Sequence, residues 1–137
     1  MTQKVYKWTK KEQKMVLSLV DEAITNLNME SWVVTNRFEN GPISGEDLGD
    51  GKIFVADAIS TTTYEYEKIM VTWKPALLYD LRTGDASAEE CVYHEIIHGL
   101  TQEIYNISLN RFATEEQCRE AIERLTQRIT RIICILK

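Results

Sequence analysis

The sequence is short of three things, and each shortage excludes a class of protein. It has three cysteines, Cys91, Cys118 and Cys134. An odd number with no close pairing pattern is not a secreted disulfide framework, so a reducing compartment is expected. No apolar run approaches the ~20 residues needed to cross a bilayer. The longest, IICIL near the C-terminus, is far shorter, and MTQKVYKWTKKEQKM at the N-terminus has no apolar core of signal-peptide length. The expectation is a soluble, cytoplasmic protein with no membrane partner. Positive charge is the third shortage: 16 Lys and Arg against 21 Asp and Glu leave a net charge of -5. General nucleic-acid binding needs a basic face and is excluded. One basic stretch remains, Lys4, Lys7, Lys10, Lys11 and Lys14 with Tyr6 and Trp8 among them, and it reads as a solvated helix entrance.

With 137 residues, 44% of them hydrophobic, the chain suffices for one continuous core, and residues 1–137 are expected to form a single domain. Thr9 and Glu12 make a capping box. Val16, Leu19, Val20, Ala23, Ile24 and Leu27 then recur at helical spacing, so a first helix is expected over 10–28. SWVVTNRF (31–38), GKIFVADAI (51–59) and YEYEKIMVTW (64–73) are rich in β-branched and aromatic residues and read as three strands. The glycine-rich ENGPISGEDLGDG lies between the first two. It reads as a surface loop, because Glu46, Asp47 and Asp50 lack the alternate spacing of a calcium loop. ALLYDLRTGDA reads as a connector. Ser87 with Glu90 starts a second long helix reaching about residue 106, and Thr114 with Gln117 starts a third reaching about 136. The fold class is α+β: an N-terminal helix, a small three-stranded sheet, then two helices.

The chain has only two histidines, His94 and His98, and they fall four apart in HEIIH. At about 100° per residue, positions i and i+4 share one helical face, so both imidazoles can hold one zinc ion. Glu95, directly after the first, is placed to act as general base on water activated by that metal. Random placement would give this arrangement on the order of once in several hundred chains, so the motif is a strong signal. On the same helix, Val92, Tyr93, Ile96, Leu100 and Ile104 form an apolar arc. Cys91, Thr101 and Tyr105 gather near the metal side.

A catalytic zinc site takes three protein ligands and leaves one position open. No third histidine exists, and no aspartate lies between 99 and 137. Glu103 sits well round from the histidine face. In the last helix Cys118, Ala121, Ile122, Leu125, Ile129, Ile132 and Ile133 form the apolar stripe, and Glu115 lies about 60° from its centre. Glu116, Glu120 and Glu123 lie about 140–160° away, on the side expected to face solvent. Glu115 is therefore the expected third ligand. Glu116 is the alternative, since the chain bends at a helix start.

HEIIH, followed 17 residues later by Glu115 with Cys118 beyond it, resembles the gluzincins, in which a second helix delivers a glutamate to the metal. The compact layout is also similar to minigluzincins and to small zincins of phages and mobile elements, relatives in style of ImmA/IrrE-type metallopeptidases. The likeness covers roughly residues 50–130 and rests mainly on HExxH. It implies a zincin-like fold and zinc on His94, His98 and Glu115 with Glu95 as base. A peptide or protein substrate and a phage-encoded protein acting in a host cytoplasm are implied as well. The metzincin continuation is absent, because no histidine follows His98.

The leading expectation is a zinc-dependent endopeptidase, with YEYEKIMVTW either an edge strand that pairs with substrate backbone or an ordinary core strand, and Tyr105 a candidate oxyanion donor. The competing expectation is a non-catalytic, zinc-stabilised or degenerate module acting in protein–protein interaction. There Cys91 would close the site as a fourth ligand. The apolar residues of RIICILK also exceed what one helical face needs, so the last helix is a candidate homo-oligomer surface.

Overall fold

The computed structural model describes residues 3–47, 53–63, 66–109 and 114–136. Its first helix, α1 (Lys10–Asn26), begins with the expected capping box: Thr9 accepts from the Glu12 backbone and the Glu12 carboxylate accepts from the Thr9 backbone. Val16, Val20 and Ala23 form its buried stripe.

Strand β1 (Val33–Phe38) pairs in parallel with β5 (Lys68–Trp73), which pairs on its other side, antiparallel, with β4 (Ala58–Thr63). The sheet order is β1-β5-β4. YEYEKIMVTW is thus not an edge strand: its described part, β5, is the central one, and β4 takes the edge. A separate two-residue hairpin joins β2 (Glu46–Asp47) to β3 (Ile53–Phe54). The expected strand over 51–59 is therefore split between β3 and β4. The break falls before Ala58, where the Asp57 carbonyl accepts from the Lys74 amide. Strand β4 then continues through Ser60 and three threonines, whose branched Cβ suits a pleated surface despite their polarity. The side chains of Glu46 and Asp47, and all of Asp50, lie outside the described residues.

The expected connector after Pro75 is a helix, α2 (Pro75–Thr83). Proline occupies its first turn, where its missing N–H costs nothing, and Gly84, at φ 78°, closes it in the left-handed conformation. Pro75, Ala76, Leu77 and Leu78 are buried, which holds so short a helix in place.

Two long helices follow, α3 (Ala88–Leu109) and α4 (Glu115–Leu136). Helix α3 packs on the sheet, on α1 and on α4 together. Val92, Tyr93, Ile96 and Ile97 of α3 join Ile69, Val71 and Trp73 of β5 and the α1 stripe in one core. Each such aliphatic side chain contributes about 1.5–3 kcal/mol relative to exposure. Polar atoms inside are paired: Trp73 Nε1 donates to Asn36 Oδ1 at 3.0 Å and Asn26 Nδ2 to the Tyr93 hydroxyl at 2.7 Å. On α4, Ile129, Ile133 and Cys134 pack against the core, while Ile132 and Leu136 are exposed. Among the described residues no helix is long and apolar enough to cross a membrane.

Candidate metal centre

His94 and His98 stand on one face of α3, as their spacing predicts, with their rings edge to face and centroids 4.8 Å apart. Their Nε2 atoms are 3.2 Å apart. The third group comes from α4 and is Glu123: Oε2 lies 3.2 Å from His94 Nε2 and Oε1 3.1 Å from His98 Nε2. Among the described residues, these three offer ligand atoms that all lie within 4.8 Å of one another. Two imidazole nitrogens and one carboxylate suit a zinc ion with an open position.

Glu115 and Glu116 are not brought to the histidines. Both are exposed at the start of α4, and Glu115 accepts from Arg119 Nη2 at 2.9 Å, one turn on. Two physical reasons separate this from the expectation. First, α3 and α4 run antiparallel. Glu90 meets Gln127 and Arg131, and His98 meets Glu123, so residues far from the α3–α4 connection on one helix face residues far from it on the other. Glu115 begins the helix immediately after the turn, about 12 Å along the axis from Glu123. Second, the buried face of α4 takes in only part of its aliphatic stripe, with Cys118 and Ile122 buried, and extends to threonines beside it. Thr126 and Thr130 are fully buried, whereas Leu125 and Ile132 are exposed. The threonine hydroxyls are satisfied locally, Thr130 Oγ1 donating to the Thr126 carbonyl at 2.8 Å and Thr126 Oγ1 lying 3.3 Å from Thr101 Oγ1. Counting those threonines rotates the inward face by about 50° and puts Glu123 on its flank. The short connection before Thr114 carried the missing signal, because it implies an antiparallel hairpin.

Glu95, directly after His94 on α3, is buried, at 8% exposure, and lines the same cleft as the two histidines. It is hydrogen-bonded to Ser60 on β4. Burial pushes its carboxyl above the usual range; the neighbouring His98 and His94 pull against that shift. For His94, burial alone would lower the imidazole, but the Glu123 hydrogen bond, the Glu95 charge and Gln127 outweigh it and the net shift is upward. The hydrogen bonds of His94 and His98 hold the Glu123 carboxyl well below the usual range. Three acceptor positions facing one point call for a cation, and without metal a proton serves.

All four residues line a cleft of about 940 Å³ that opens along Ala58, Ile59 and Ser60 of the β4 edge. Cys91 also lines it but is outside the ligand group. Burial first, then the charge of Glu95, pushes its thiol far up, against formation of a thiolate ligand. The side chains of Glu103 and Tyr105 lie outside the described residues. Compared with known protein families, with curated proteins and with solved structures, the chain matches none.

Proposed function

We propose that the chain is a zinc-dependent endopeptidase, a small zincin-like domain of gluzincin type in which His94, His98 and Glu123 hold the metal and Glu95 is the general base. One observation carries the reading: both imidazole Nε2 atoms and the Glu123 carboxylate converge beside a buried glutamate in an open cleft. Zinc held there supplies a Lewis acid that acidifies water and polarises a peptide carbonyl. Burial raises the proton affinity of Glu95, which suits a general base, and the hydrogen bond to Ser60 orients it. The outer edge of β4, unpaired among the described residues, offers backbone groups to an extended peptide running past the ligands. A closed, purely structural site would want a fourth protein ligand, and the protonated thiol of Cys91 is a poor one.

The test is cleavage of quenched fluorescent peptides by zinc-loaded protein beside Glu95→Gln. The variant should keep its metal and lose about 100-fold or more in rate. Wild-type protein that retains no zinc, or a variant that cleaves at the wild-type rate, would overturn the reading.

A further inference from the structure

Behind His94 runs a chain of side chains that the proposed chemistry does not use. Gln127, one turn after Glu123 on α4, has its Oε1 2.6 Å from His94 Nδ1. Its Nε2 donates to Glu90 Oε1 in the first turn of α3. Arg131 Nε lies 3.8 Å from the same Glu90 oxygen and holds the carboxylate on that side. The Glu90 backbone is fixed in turn by its N–H to Ser87 Oγ, at 3.2 Å.

The direction of this chain is set by what each group can do. An ionised carboxylate only accepts hydrogen bonds, so the end of Gln127 that faces Glu90 must be its NH2. The opposite end facing His94 is then the amide oxygen, also an acceptor, and Nδ1 must carry the proton. In a neutral imidazole that leaves the lone pair on Nε2, the atom that faces Glu123 and His98. We infer that Glu90, acting through Gln127, fixes the metal-ligating tautomer of His94, which makes Glu90 and Gln127 positioning residues of the centre. The inference rests on the metal-site reading above. Without the charge of Glu90, Gln127 is free to turn its amide over. Its NH2 would then stabilise the tautomer with the proton on Nε2, which cannot bind metal.

The experiment reads the tautomer and the affinity separately. In metal-free, 15N-labelled protein carrying Glu123→Ala, so that no carboxylate competes for a proton on Nε2, the ring-nitrogen shifts of neutral His94 should report a proton on Nδ1. Adding Glu90→Gln in that background should mix in the other tautomer, and in the otherwise intact site Glu90→Gln should weaken zinc binding, measured by competition with a chromophoric chelator, by about 10-fold to 100-fold. The double variant Glu90→Gln with Gln127→Glu puts an acceptor-only group against Nδ1 directly, so it should restore both tautomer and affinity. Glu120→Gln, exposed on the same helix, should change neither. Unchanged tautomer in Glu90→Gln, or lost affinity that the double variant does not rescue, overturns the inference. If His98→Ala abolishes zinc binding while Glu90→Gln does not weaken it, the inference falls and the metal site stands. If wild type binds no zinc, the metal-site reading falls, and the metal-free tautomer comparison still decides whether Glu90 governs His94.

Discussion

Glu123 on α4 reaches both imidazoles of α3 with separate oxygens, Oε2 at 3.2 Å from His94 Nε2 and Oε1 at 3.1 Å from His98 Nε2. One side chain therefore closes the centre, and its loss should empty it. Metal analysis should find about one zinc per wild-type chain and only traces in Glu123→Ala. Glu115→Ala and Glu116→Ala should bind as wild type, and loss of the exposed Glu115–Arg119 pair should change stability by less than about 1 kcal/mol. Zinc lost with Glu115 and retained without Glu123 would mean that the helices meet in another register.

The pH dependence of stability should reverse sign with metal. His94 is raised above its ordinary 6.5, so its contribution to the metal-free protein is complete below that value and is lost as pH rises through the folded one. Glu123 is lowered from 4.5, so its contribution is present above that value and is lost only as pH falls through the depressed one. Metal-free protein should therefore hold this stabilisation between those two ordinary values and lose the His94 part as pH rises through its raised value. Zinc requires the imidazoles to shed protons, so its stabilising effect should grow over the same rise in pH. Melting temperatures with zinc and with chelator should diverge as pH increases. Parallel curves would separate the histidines from both effects.

Gly99, next to His98, lets α3 lie against β5. A Cβ there would sit 2.5 Å from Ile69 Cδ1, 3.2 Å from Ile69 Cγ1 and 3.3 Å from Met29 Cε. Ile69 and Met29 are both 1% exposed, so neither has room to give. Gly99→Ala should destabilise by about 1–3 kcal/mol, read from the urea midpoint. Trimming the opposing side chain with Ile69→Val should recover part of that loss; no recovery would point away from this contact.

Arg82 clamps α2 to the start of α1, with Nε 2.9 Å from Glu12 Oε2 and Nη2 2.8 Å from Glu12 Oε1 and 2.9 Å from the Lys7 carbonyl. The Arg82 hydrogen bond is the main reason the Glu12 carboxyl is lowered to about 2. A depressed carboxyl stabilises above its ordinary 4.5 and ceases to do so as pH falls toward the folded value. The pair is largely exposed, so solvent screening holds its contribution to about 1 kcal/mol. Arg82→Ala should cost about that much at neutral pH and flatten the acid limb of the stability curve; an unchanged acid limb would assign that limb to other carboxylates.

What the sequence disclosed, and what it concealed, follows from how locally each feature is encoded. The Thr9–Glu12 box and the HEIIH face involve residues within one or two turns, and both form as spacing requires. Helix α2 hides in the sequence because it is only nine residues long and begins with proline, and its stability comes from burying Ala76, Leu77 and Leu78 rather than from propensity. Strand β4 and the inward face of α4 were obscured by the same residue type. Threonine looks polar in a pattern, yet it builds a strand in one place and lies fully buried, its hydroxyls paired, in the other. A stripe drawn without Thr126 and Thr130 puts Glu123 on the solvent side, and their burial brings it to the flank of the inward face.

His94, His98 and Glu123 all lie on one helical hairpin, with His94 and Glu123 29 positions apart, whereas the parallel pairing of β1 with β5 must bring Val33 to Lys68 across β4 and the β2–β3 pair. Contacts near in sequence close sooner than parallel strands, so the order of assembly is written into this topology. The hairpin should bring these three side chains together first. Glu95 acquires Ser60 and its dry surroundings only when β4 docks. In stopped-flow refolding, zinc capture should accordingly precede burial of Trp73 in the sheet. Under the proposed peptidase reading, a nascent chain would hold its ion while Glu95 is still hydrated, and could not cut its neighbours until folding is complete.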